Sequence, residues 1–133
     1  MKNTFGTSVT MTVFGESHGE AVGVVLDGVA PGIEVDENYI KACLARRAPS
    51  MTTDTTRREN DEFRILSGVF SGKTTGTPIC IIVPNENQRS KDYEYGIARP
   101  AHADFSANQK YHGFEDYRGG GHFSGRVTAG IVA

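Results

Sequence analysis

A chain of 133 residues with a formal charge of −2, its acids and bases interspersed, is long enough for one cored domain over residues 1–133 and too short for two. That balance excludes recognition of nucleic acid or an anionic membrane through a whole-protein field, so any anion site must be local. No run approaches the roughly 18 apolar residues of a membrane span, and Val and Ile, at 19 against 3 Leu, favour strands.

The N-terminal MKNTFGTSVTMT has one Lys and no apolar targeting core, which predicts a soluble, cytoplasmic protein. Positions 5 to 13 alternate Phe, Thr, Val, Met, Val with Gly, Ser, Thr, Thr and predict a half-buried strand. Val22, Val24 and Leu26 resume the alternation after GESHG, so the predicted unit is strand, functional loop, strand, closed by the turn DGVAPG. Asp36 opens DENYIKACLARRA, a helix with Ile40, Cys43 and Leu44 on one face and Arg46 and Arg47 in its last turn. After the polar PSMTTDTTRREND come EFRILSGVF and TPICIIVPN, expected as antiparallel strands around the glycine-bounded SGKTTG. The long polar segment that follows carries a short helix over HADFSANQKY, and SGRVTAGIVA predicts a helix from Ser124 that buries Val127 and Ile131. The closing GIVA lacks a helix-stop signal, as expected of a piece of a longer protein.

Gly15-Glu-Ser17-His-Gly19 is a literal Gly-x-Ser-x-Gly, the pattern that presents the nucleophile of many serine hydrolases. That elbow needs a strand-to-helix turn, and AVGVVLDGV reads as a strand, so Ser17 is expected to hydrogen-bond within a loop rather than attack. A zinc site is disfavoured too: His102, His112 and His122 recur every ten residues, a spacing that fits no helical or knuckle ligand set. Cys43 and Cys80 stand alone and read as buried small hydrophobes in a reducing compartment. RGGGHFSGRVTAG, from Arg118, is the stronger signal. Successive glycines let backbone N–H groups converge on an anion, and a following helix adds its positive end. Arg126 and Val127 stand where a Walker A loop has Lys and Ser or Thr, so a phosphate-bearing ligand is expected without NTPase chemistry. Nine arginines against five lysines point to phosphate or carboxylate capture, with about half of them expected in plain surface ion pairs.

Taken in order, GESHGEAVGVVLDGVAPG, LARRAP, TRRENDEFRILSGVFSGKTTGTPI, QRSKDY, RPAHAD, KY and DYRGGGHFSGRVTAG closely resemble the N-terminal part of the chorismate synthase family, over essentially all 133 residues. The resemblance implies an α+β fold of antiparallel sheets packed on helices, part of a β-α-β sandwich and incomplete here. It implies a carbon-oxygen lyase: anti-1,4-elimination of phosphate from 5-enolpyruvylshikimate 3-phosphate to chorismate, with reduced FMN (FMNH2) as cofactor and a homotetramer as the usual assembly. By position, His18 matches the histidine beside the substrate's phosphate and His102 the one beside the flavin, the two catalytic candidates. His122, Phe123 and Ser124 occupy the flavin-contacting stretch. Arg47, Arg58 and Arg126 match or neighbour the arginines that hold substrate phosphate or NADP, and Arg118 is a further candidate for anion contact. Many members carry Arg and Ser at the positions of His122 and Phe123, and a further Arg at that of Ala48, so these contacts differ here. Family chains are more than twice as long, and the remaining part supplies much of the flavin pocket and a catalytic Asp, so the piece alone is expected to be inactive. The competing readings are a non-catalytic phosphate-binding module, using the glycine loop and arginines, and a purely structural or assembly role.

Overall fold

A computed structural model describes residues 2–46, 62–85 and 94–133, the side chains of 122–125 excepted. Three strands open the chain: β1 (Thr4–Gly6), β2 (Thr10–Phe14) and β3 (Ala21–Asp27). Helix α1 (Glu37–Ala45) follows, then β4 (Arg64–Ser67), a small hairpin of β5 (Val69–Phe70) and β6 (Lys73–Thr74), and β7 (Ile79–Pro84). Helices α2 (Asp104–Tyr111) and α3 (Gly121–Val132) complete the order. The main sheet runs β1-β2-β3-β7-β4 and is antiparallel throughout, giving the expected α+β class.

The core forms because the alternation in three neighbouring strands is in phase. Val13 pairs with Val24 and Val24 with Ile81, while Val22 pairs with Val83. All five point to one face and are buried, together with Ile79. Leu44 of α1 and Ala129 and Val132 of α3 close over that face. Asp36 caps α1 through its carboxylate, which accepts from the Tyr39 N–H at 2.9 Å. No helix among the described residues is long and apolar enough to cross a membrane.

Four expectations need correction. Positions 5 to 13 form two antiparallel strands, with Thr4 opposite Thr12; the chain turns after Gly6, at φ +96, so the alternation belongs to a hairpin rather than one strand. Helix α1 ends at Ala45 with Arg46 as its C-cap, leaving no basic residue in the last turn, and Arg47 falls outside the described residues. Helix α3 starts three residues before Ser124, at Gly121, and turns Thr128, Ala129 and Val132 inward. Val127 is 56% exposed and Ile131 half-buried, because the small Ala129 is what lets the helix approach the sheet. The cysteines are free but half-buried: Cys80 faces away from the core between Ile79 and Ile81, and Cys43 accepts a hydrogen bond from the Arg46 guanidinium at 2.9 Å.

Candidate functional site

GESHG lies between two strands, β2 and β3, as the following alternation requires, and not at a strand-to-helix elbow. Gly15, at φ +97, turns the chain so tightly that an added Cβ would fall 2.4 Å from the Ala21 carbonyl oxygen. The Gly19 N–H then donates to the Glu16 carbonyl at 3.0 Å and closes a turn around Ser17 and His18. Ser17 donates its backbone N–H to the Gly121 carbonyl at 2.8 Å. That bond joins the loop to the start of α3.

The consequence is contact between two motifs a hundred residues apart. Gly119, at φ +58, presses against the loop: a Cβ there would stand 2.6 Å from Ser17 Oγ, 2.7 Å from His18 Cε1 and 2.9 Å from His18 Nδ1. His18 is 4% exposed, held between its own loop and the glycine segment. Residues 119–121 also line a cleft of about 320 Å³, together with His102, Asp116 and Tyr117. His102 is exposed at the approach to α2, with Nδ1 3.0 Å from the Pro100 carbonyl. One glycine segment thus touches His18 and shares a cleft with His102.

Arg99 fixes that arrangement. Its Nε and Nη2 each reach one oxygen of Asp104 at 2.8 Å, and Nη2 also donates to the carbonyls of Tyr117 (3.0 Å) and Gly119 (2.7 Å). One guanidinium therefore ties the start of α2 to the glycine segment. Arg118 holds Asp116 in the same two-pronged way, at 2.8 and 2.7 Å. Both pairs are partly buried, and Arg99 also binds two backbone carbonyls, so neither is the plain surface ion pair expected of about half the arginines.

Charge follows from the pairing. Hydrogen bonding to Arg99 pushes the Asp104 carboxyl down to about 2. Asp116 is lowered chiefly by its bonds to Arg118, against the opposing effect of burial, with the His18 imidazole helping. A depressed carboxyl stabilises the fold above its unfolded pKa of about 4 and loses that contribution as pH falls toward the folded value. Asp104→Asn is therefore expected to cost about 1–3 kcal/mol at pH 7 and to flatten the decline of thermal stability between about pH 4 and 2. Unfolding curves collected across that range check it; an unchanged acid slope would remove the pair from the stability account.

Of the other sequence-derived candidates, Arg126 sits on α3 with its guanidinium on the Asn3 amide oxygen. His122, Phe123 and Ser124 lie in the first helical turn, their side chains outside the described residues, as are Arg47 and Arg58 entirely. No three His, Cys, Asp or Glu side chains among the described residues converge as a metal site. Sequence reading missed Asn85, whose amide donates to the carbonyls of Glu16 (3.0 Å) and Gly19 (2.8 Å), because both partners are remote in the chain. The Arg99–Asp104 pair carried a signal, a carboxylate five residues on at a helix start.

The family model described as chorismate synthase matches residues 9–133. The chain belongs to the chorismate synthase family. It is 56% identical to the chorismate synthase of Cytophaga hutchinsonii over all of its own length and 38% of that protein's. A chorismate synthase of a Sulfurovum species is 53% identical, with 98% of this chain and 37% of the relative covered. That of Thermococcus kodakarensis is 52% identical, covering 96% of this chain and 36% of the relative. A crystal structure of chorismate synthase superposes with a TM-score of 0.64 and 27% identity, over 95% of this chain and 31% of that one. The chain thus spans well under half the length of the chorismate synthases it matches.

Proposed function

We propose that this chain forms the His18 and His102 part of a chorismate synthase, a lyase that eliminates phosphate from 5-enolpyruvylshikimate 3-phosphate to give chorismate. The observation that carries the reading is the junction at Gly119, which touches a buried imidazole and lines a cleft bordered by a second imidazole. Inside such a water-poor junction, a proton on His18 is available to the departing phosphate oxygen, and the developing negative charge meets few competing water dipoles.

In this reading the cleft is the cofactor side of the site. Helix α3 begins without a side-chain cap, so its positive end favours an anion even though the Gly121 N–H donates to the Arg118 carbonyl, and glycine at 119–121 leaves no side chain in the way. Of the three carboxylates lining the cleft, Asp104 and Asp116 are neutralised by their arginines, and Glu115 is the third. Reduced FMN would be held by residues 119–121 with His122, Phe123 and Ser124, and when bound supplies an electron that the elimination returns. His102 borders that place and controls protonation there. Arg126, with Arg47 and Arg58, belongs to the substrate-phosphate or NADP side of this reading. The active form is a cytoplasmic homotetramer of the longer protein, and this piece alone does not turn over.

The test is conversion of 5-enolpyruvylshikimate 3-phosphate by the full-length protein with reduced FMN under anaerobic conditions. Chorismate and inorganic phosphate should appear in equal amounts. Phosphate affinity without flavin-dependent chorismate would instead identify a non-catalytic phosphate-binding module.

A further inference from the structure

Asn85 stands immediately after β7, and the β3–β7 register decides where its side chain goes. Ala21 lies opposite Pro84, and the Asn85 N–H extends that ladder by donating to the Glu20 carbonyl at 2.9 Å. The register is pinned by buried pairs, Val22 with Val83 and Val24 with Ile81, since a one-residue slip would turn these side chains to the other face. Asn85 is therefore delivered by the most deeply buried part of the sheet to the mouth of the GESHG loop.

There its amide nitrogen donates to the carbonyl of Glu16 at 3.0 Å and to that of Gly19 at 2.8 Å, the residues on either side of Ser17 and His18. Each amide hydrogen has an acceptor, and the two acceptors fix the amide's orientation. The Gly19 N–H to Glu16 carbonyl bond closes the same turn from within. The five-residue GESHG stretch, with glycine at both ends, would otherwise sample many conformations, each moving the imidazole relative to Gly119.

We infer that Asn85 is a positioning residue for His18, clamping both ends of its turn from the adjacent strand. The inference rests on the proposed role of His18. It acts through geometry alone, since the amide has no part in proton transfer.

Two substitutions in the full-length protein separate this from a packing role. Asn85→Ala removes both N–H donors, and Asn85→Asp keeps the shape but puts a carboxylate oxygen against the two carbonyls where Nδ2 donated. The clamp predicts that kcat falls about tenfold or more for Ala and further for Asp, with KM within about threefold of wild type, because a small misplacement of the reacting group is enough to cost rate. In a His18→Ala background the same substitutions should add little, since coupled residues are not additive. A side chain that merely fills space would give the opposite order, with Asp near wild type, and that order would overturn the inference.

Amide hydrogen exchange supplies a readout independent of turnover. Exchange at residues 17 to 19 should quicken in both variants while the β3 and β7 amides keep their protection; unchanged exchange at the turn would also overturn it. If wild type makes no chorismate yet the turn loosens as expected, the clamp stands and the reading of the reaction falls.

Discussion

His18→Ala in the full-length protein is expected to lower kcat for phosphate elimination by about 10²–10⁴-fold, the usual contribution of a positioned general acid, while flavin is still bound. The expectation follows from where the ring sits. It is 4% exposed and does not itself line the cleft assigned to flavin, so its removal takes away a proton donor without removing a lining side chain. Because a buried ring is deleted, His18→Asn serves as a second variant that keeps a polar group of comparable reach in the same space. Both should lose turnover alike, with flavin titration giving an affinity close to wild type. Near-normal kcat in the folded Asn variant would remove His18 from the chemistry.

Gly119→Ala is the second large effect, arising from a single methyl group. At φ +58 an L side chain costs about 1–2 kcal/mol, and the Cβ would lie 2.6 Å from Ser17 Oγ and 2.7 Å from the His18 ring, closer than real contacts allow. The loop carrying His18 must shift, and a displacement near 1 Å at a reacting group costs about 10²-fold in rate. The expected result is a loss of that order in kcat together with a modest drop in stability. Gly72→Ala is the control: its φ is +75, in the turn between β5 and β6, and nothing lies within 4 Å of the added Cβ. It should lose comparable stability and keep its activity. Equal activity loss in both would assign the effect to backbone strain instead of contact with His18.

The site was legible in the sequence to different depths. GESHG as a loop between strands followed from the alternation on its two sides, and Ser17 accordingly joins a backbone network through its N–H. The helix at Asp36 was legible because its cap, first-turn acid and apolar face agree. Helix α3 was read in the wrong phase: its inward face is chosen by how closely the backbone can approach the sheet, which favours Ala129 over the larger Val127. The β1–β2 hairpin was invisible because an alternation of period two is unchanged when a strand folds back on itself.

What the sequence determined alone were quantities set by neighbours in the chain: strand alternation, the α1 cap, glycine where the backbone must turn, and a motif order that placed the chain in its family. Only the tertiary structure decided that Gly119 meets His18, that Arg99 spans from Asp104 to the Gly119 carbonyl, and that Asn85 reaches across to Glu16 and Gly19. These contacts join positions 20 to 101 residues apart, Arg99–Asp104 being the local exception. The Arg99 and Asn85 contacts exist because strand register and helix packing deliver backbone carbonyls, and any residue type presents the same carbonyl, so no side-chain pattern records them.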